Sequence, residues 1–162
     1  MNRLATLIAS GAVVAFAIGI VCVSGSLNAG GSQGEIVSVR SAYPVAVTIE
    51  RLKSDIARKG IILFSTTDQS KLAEAAGVKL RPSTLLEFGN PTLGAQFITA
   101  NPVAGLDWPV RLLVFEDEDG VVWAAYTDFA AIARRHAIAD RQPQFETASS
   151  VVASITSTIV GE

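Results

Sequence analysis

Residues 110–128 read V-R-L-L-V-F-E-D-E-D-G-V-V-W-A-A-Y-T-D, and they decide the fold class. Val110 to Phe115 and Val121 to Tyr126 are two runs rich in β-branched, aromatic and aliphatic residues, as strands require. Between them Glu116 to Gly120 ends in Asp-Gly, the strongest short-range hairpin signal, because glycine tolerates the left-handed backbone of a tight return. Trp123 and Tyr126 stand an odd number of residues apart, so on a strand they face opposite sides of the sheet. An antiparallel hairpin late in the chain already excludes an all-helical or purely parallel architecture.

Working upstream, the elements alternate. Glu35 to Arg40 carries Ile36, Val37 and Val39 and reads as a strand. Pro44 suits a first helical position, and Val45, Ile49, Leu52 and Ile56 recur at helical spacing with Arg51, Lys53, Asp55, Arg58 and Lys59 on the other face. Gly60 stands where a helix stops. Ile61 to Phe64 is a second strand. Thr66-Thr67-Asp68 offers N-cap chemistry for a short helix through Leu72 to Ala76, ended by Gly77. Thr84 to Phe88 is a third strand. Asn90-Pro91 caps and opens a helix from Thr92 to about Thr99. Asn101 to Pro109 is punctuated as a loop by Pro102, Gly105 and Pro109. Downstream, Asp128 caps a helix to about His136, and Ala148, Val151, Val152, Ile155 and Ile159 form a helical stripe in the tail. The order β-α-β-α-β-α-β-β-α-α implies one α+β domain, with a mixed or antiparallel sheet of about five strands and helices on one face.

The first 29 residues differ in kind. Arg3 precedes an apolar run from Leu4 to Val23 broken only by Thr6 and Ser10. A positive start, an apolar stretch and then small residues are the marks of an export signal, and the run is also long enough to span a bilayer. Residues 1–29 are therefore expected to be a hydrophobic helix serving as cleaved signal or retained anchor. Residues 30–34 follow as a flexible Gly/Ser linker, and residues 35–162 as the domain. Either fate puts the domain outside the cytoplasm, periplasmic, secreted or membrane-anchored, with membrane contact only through the uncleaved segment.

Composition narrows the chemistry. The chain of 162 residues has 15 acids and 13 bases, with no basic run, so it carries no electrostatic footprint for nucleic acid. Its single cysteine, Cys22, lies in the apolar run, so the domain holds no disulfide, thiolate nucleophile or thiolate metal site. His136, the one histidine, follows Arg134-Arg135 at a helix end, where it favours the helix dipole, and no spacing places a carboxylate beside it. The acids 116–119 lack the spaced ligands and central glycine of a calcium loop and read as a solvated turn. Ser65, Thr66 and Ser83 sit in no nucleophile elbow. No catalytic set, metal cluster or cofactor motif is read.

Several ordered blocks carry a resemblance. They are V-T-I-E-R-L-K-S-D-I-A-R-K-G from Val47, A-G-V-K-L-R-P from Ala76, F-G-N-P from Phe88, A-N-P-V-A-G-L-D-W-P from Ala100, and E-D-E-D-G-V-V-W-A-A-Y-T-D from Glu116. Together they resemble the domain of unknown function 302 family, over roughly Val45 to His136. The resemblance implies a compact α+β domain, largely bacterial and archaeal, without an established activity. Against that family's pattern, Asp68-Gln69 replaces a usual Asp-His, Gly94-Ala95 a usual Gly-Thr and Thr127-Asp128 a usual Asn-Asp. Several polar positions have thus become less polar, which argues against an inherited active site.

Four residues are the ligand-contact candidates. Arg81 can clamp an anion or pair with Glu87 or Asp68. Asn90 is a helix cap or a contact. Trp108 lines a pocket or seals the core. Asp68 matches the aspartate of the Asp-His pair that the resemblance implies, with Gln69 in place of the histidine. The leading expectation is a non-catalytic module for a small molecule or a protein, with a homodimer through its sheet edge or tail helix as one form it can take. The alternatives are an enzyme using an isolated carboxylate, Asp68 or Glu87, with Arg81 as clamp, and a structural partner of a membrane complex.

Overall fold

The computed structural model describes residues 34–161. The hydrophobic segment at residues 1–29 and most of the linker lie outside the described residues. The elements are β1 (Ile36–Arg40), α1 (Val45–Arg58), β2 (Ile62–Asp68), α2 (Gln69–Ala75), β3 (Ser83–Gly89), α3 (Pro91–Ala100), a 3₁₀ turn (Pro102–Asp107), β4 (Val110–Glu116), β5 (Val122–Thr127), α4 (Phe129–Arg135) and α5 (Gln142–Ser157). The element order expected from the sequence holds. The five strands form one sheet in the order β1-β5-β4-β3-β2, and every neighbouring pair is antiparallel. The fold is therefore α+β with a wholly antiparallel sheet, which settles the mixed-or-antiparallel alternative.

Three boundaries differ from expectation for local reasons. β2 does not stop at Phe64 but runs to Asp68, because Ser65, Thr66 and Thr67 pair with Glu87, Leu86 and Leu85. Threonine fits a pleated edge, and the Ser65 hydroxyl donates to Glu87 at 2.6 Å. Pro44 is the N-cap of α1 and not its first helical residue. The loop 101–109 contains a 3₁₀ turn capped by Asn101, whose side chain accepts from the Val103 N–H at 3.0 Å. Gly60, Gly77 and Gly120 all have positive φ, the conformation for which the sequence placed glycine there.

Side chains sort by strand parity. Leu86, Phe88, Val110, Leu112, Val114, Val122, Ala124 and Tyr126 point to one face and are buried. They meet Leu52 and Ile56 of α1, Phe97 of α3, Phe129 and Ile132 of α4, and Phe145, Val152 and Ile155 of α5 in one apolar cluster. α2 contributes no buried residue. The opposite parity, including Leu85, Leu113, Phe115, Trp123 and Ala125, takes no part in that cluster and is half-buried. Trp123 and Tyr126 do face opposite sides of the sheet: Tyr126 is in the core, and Trp123 is on the open face. Burial pushes the Tyr126 hydroxyl pKa up, with the nearby Asp128 charge adding to it.

Candidate functional site

The carboxyl end of β3 turns sharply into α3 at Gly89-Asn90-Pro91. Asn90 caps α3: its side-chain oxygen accepts from the Thr92 N–H at 2.9 Å and the Leu93 N–H at 3.2 Å. That leaves the side-chain amide N–H groups free of this duty. Trp108, at the end of the 3₁₀ turn and before the cis Pro109, lays its indole across this turn. The fit depends on two glycines. A Cβ at Gly89 would stand 2.5 Å from the indole, and one at Gly94 would stand 1.9 Å from it. The F-G-N-P-x-x-G spacing thus makes a flat bed for one tryptophan, which also packs against Phe97 at a centroid distance of 6.2 Å.

Beside this indole lies a cleft of about 690 Å³ between the end of β3, α3 and α5. Phe88, Leu93, Val151 and Val152 give it apolar walls, and Lys59, Asn90, Thr92, Gln96, Gln144 and Thr147 bring polar groups to its rim and walls. Gln144 lines this cleft, and its Oε1 is buried without a hydrogen-bond partner. An unmet buried acceptor carries a free-energy cost of about 1–3 kcal/mol, so this position favours a donor that reaches it. Volume and lining match the usual small-molecule site, which is concave and mostly apolar.

Two of the four expected residues, Asn90 and Trp108, share this cleft; Asp68 and Arg81 do not line it. Asp68 caps α2, accepting from the Ser70 hydroxyl at 2.6 Å and the Lys71 N–H at 3.0 Å. Those two bonds hold its carboxyl below the usual range, which weakens it as a base. Arg81 pairs with neither Glu87 nor Asp68 but with Glu116 at 3.6 Å. The reason is register: the Glu116 N–H donates to the Pro82 carbonyl at 3.0 Å, which brings the end of β4 beside Arg81. Glu87 is engaged by Ser65. Gln69, in the place of the usual histidine, accepts from the Ser83 hydroxyl at 2.7 Å.

His136 does have a carboxylate, contrary to what sequence spacing offered. Asp107 lies 2.7 Å from its Nε2, and Arg135 donates to both Asp107 oxygens at 3.0 and 3.1 Å. Burial pushes the Asp107 carboxyl up, but the bonds from His136 and Arg135 outweigh it and hold the pKa below the usual range. Asp107 is thus ionised at neutral pH and can only accept, so Nε2 carries the proton that it donates. The space beside Asp107 and Arg111 is only about 10 Å³, less than a substrate needs. The pair ties the 3₁₀ turn to the end of α4, aided by Asn101, which donates to the His136 carbonyl at 2.9 Å. In the acidic turn, Asp117 accepts from the Trp123 indole at 2.7 Å and from the Val121 N–H at 2.8 Å, and these bonds lower its pKa. Among the described residues no group of three or more His, Cys, Asp or Glu is placed to hold a metal ion.

The family model "Domain of unknown function DUF302" matches residues 37–159, most of the chain and all of the cleft. The chain belongs to the DUF302 family. A solved structure, the uncharacterized conserved protein DUF302 from Bacillus stearothermophilus, superposes with a TM-score of 0.71 at 16% identity. The match covers 78% of this chain and 98% of that one, and at such identity it speaks for the fold alone. Two curated relatives are both named "Fluoride-specific ion channel FluC 1". The one from Brucella suis biovar 1 is 38% identical over 103 residues, covering 64% of this chain and 41% of its own. The one from Brucella abortus biovar 1 shows the same identity and covers 38% of its own length. This DUF302 chain therefore spans only about two fifths of the curated relatives it matches. No helix among its described residues is long and apolar enough to cross a membrane.

Proposed function

We propose that this DUF302 domain is a non-catalytic module that binds a flat, mostly apolar small molecule carrying an N–H or O–H donor. The observation that carries the reading is the buried, unpartnered Oε1 of Gln144, a residue that lines the same cleft as Trp108. A ligand ring would stack on apolar walls while its donor meets Gln144, so orientation follows from one bond. The carboxylates considered for catalysis each hold a neighbouring side chain, and the space between Asp107 and Arg111 is too small for a substrate. The apolar run behind Arg3 supports a position outside the cytoplasm.

The test uses indole against its isostere benzothiophene, which lacks the N–H, with side-chain NMR of Trp108 and Gln144 as the readout. Indole is expected to shift both signals and to bind about tenfold more tightly than benzothiophene, the value of one satisfied buried bond. Gln144→Leu should erase that preference. Gly94→Ala, whose Cβ would displace the indole, should abolish binding of both. Equal affinity for the two probes in the parent protein, or shifts away from these residues, would refute the reading.

A second reading is a partner of a membrane protein. It is favoured by the match to two fifths of proteins named for fluoride channels, in which the remaining length lies outside the similarity. Pull-down of the tagged full chain from solubilised membranes, with a sheet-face variant as control, separates it from the first.

A further inference from the structure

The face of the sheet turned away from the helices is the surface the cleft does not explain. Strand registers lay it out in three rows. The central row is Ser38, Ala125, Leu113, Leu85 and Thr67. One flanking row holds Arg40, Trp123, Phe115 and Ser83. The other holds Ile36, Thr127, Arg111, Glu87 and Ser65. The middle is apolar and the margin is polar, which is the anatomy of a protein interface. The Trp123 N–H is already satisfied by Asp117, so its ring offers apolar surface and asks for no bond. Strands about 4.8 Å apart and rows about 7 Å apart give a patch of about 24 by 20 Å. Its flat footprint, about 480 Å², lies below the roughly 800 Å² that each partner of a standard-size complex covers and belongs with the small interfaces.

We infer that this face pairs with the same face of a second copy of the chain. The argument is the placement of its charges. No ion pair among the described residues involves Arg40 or Glu87. Arg40 lies on edge strand β1 in one flanking row, and Glu87 lies three strands away on β3 in the other. In a two-fold interface, if residue i meets residue j then j meets i. The two-fold axis in the interface plane that exchanges these positions crosses midway between Ala125 and Leu113, the apolar centre. The line from Arg40 to Glu87 spans about 14 Å across strands and about 13 Å along them, so the two sheets cross near 90°, one of the two preferred sheet packings. The same operation sets Leu85 of one copy between Trp123 and Phe115 of the other. Charge pairing, knob packing and crossing angle thus come from one axis.

The test is native mass spectrometry of the full chain, released from mild detergent at about 100 μM, because a small interface dissociates at lower concentrations. A dimer is expected. Arg40→Glu and Glu87→Arg should each raise the dissociation constant about tenfold or more, and the double reversal should restore it, because the pair is re-formed with its signs exchanged. A second route does not depend on these charges: Ala125→Cys in a Cys22→Ser background should cross-link under mild oxidation, since the axis passes beside that residue. A monomer in the parent protein overturns the inference. So does a dimer indifferent to the reversals, which would put the contact elsewhere, such as the β2 edge where Ile62, Leu63 and Phe64 are exposed.

Discussion

Asp107 shows what one buried carboxylate contributes and why the sequence hid it. Its side chain is 6% exposed and serves His136, Arg135 and Arg111 at once. Asp107→Ala leaves His136, itself 5% exposed, without its acceptor, and should cost about 2–4 kcal/mol at neutral pH. The sign with pH follows from linkage. The folded pKa lies below the ordinary aspartate value, so the carboxylate's contribution is complete above that ordinary value and fades as pH falls through the folded one. Urea unfolding at pH 7, 5 and 3 should therefore show a constant gap between parent and variant at the first two and a narrowed gap at the third. An unchanged gap at pH 3 would mean that packing, not charge, sets the cost. Asp107 and His136 are 29 residues apart in different elements, and no spacing rule links a 3₁₀ turn to a helix end. Asn90 and Trp108 were legible as candidates because a cap before proline and a tryptophan in a loop each carry a local signal. Gln144 was not, because an unpaired amide exists only once α5 has packed against α3.

At the scale of elements, α2 and α5 invite opposite expectations. α2 has an N-cap, a stop glycine and good helix formers, yet buries nothing, and Leu72 is 61% exposed. α5 carries Ser and Thr throughout, which lowers intrinsic helicity. Its hydroxyls turn inward on the helix: Thr156 donates to the Val152 carbonyl at 3.0 Å and Ser157 to the Ser154 carbonyl at 2.8 Å. The helix persists because Phe145, Ala148, Val152 and Ile155 are buried in the core. Ile155→Ala should accordingly cost about 2–5 kcal/mol, and Leu72→Ala less than about 0.5 kcal/mol, by urea midpoint shifts at constant slope. Comparable losses would mean that α2 is covered in solution by something the described residues do not include. Element type and order were readable because periodicity and caps agreed. The full length of β2 was not, since Ser65 to Asp68 become strand only by pairing with β3.

For the whole molecule, the hydrophobic N-terminus and the domain pose separate physical problems. Every residue of the described core cluster lies between Leu52 and Ile159, and the described residues belong to one compact unit. A five-stranded antiparallel sheet closed on one side by helices has enough apolar surface to fold without help from residues 1–29. Protein beginning at Gly34 should therefore unfold in one cooperative transition, with a melting temperature within about 2 °C of the full chain in the same detergent, a shift smaller than the several degrees that one lost kcal/mol produces. Near-UV circular dichroism of Trp108 and Trp123, each held against fixed neighbours, reports whether the native packing is retained. Retention would show that the sequence of the domain alone specifies both the cleft and the open face, so that neither needs the N-terminal segment. Loss of the near-UV signal, or a broad transition, would mean that the leading residues supply packing of their own, and both faces would then have to be reread with that segment in place.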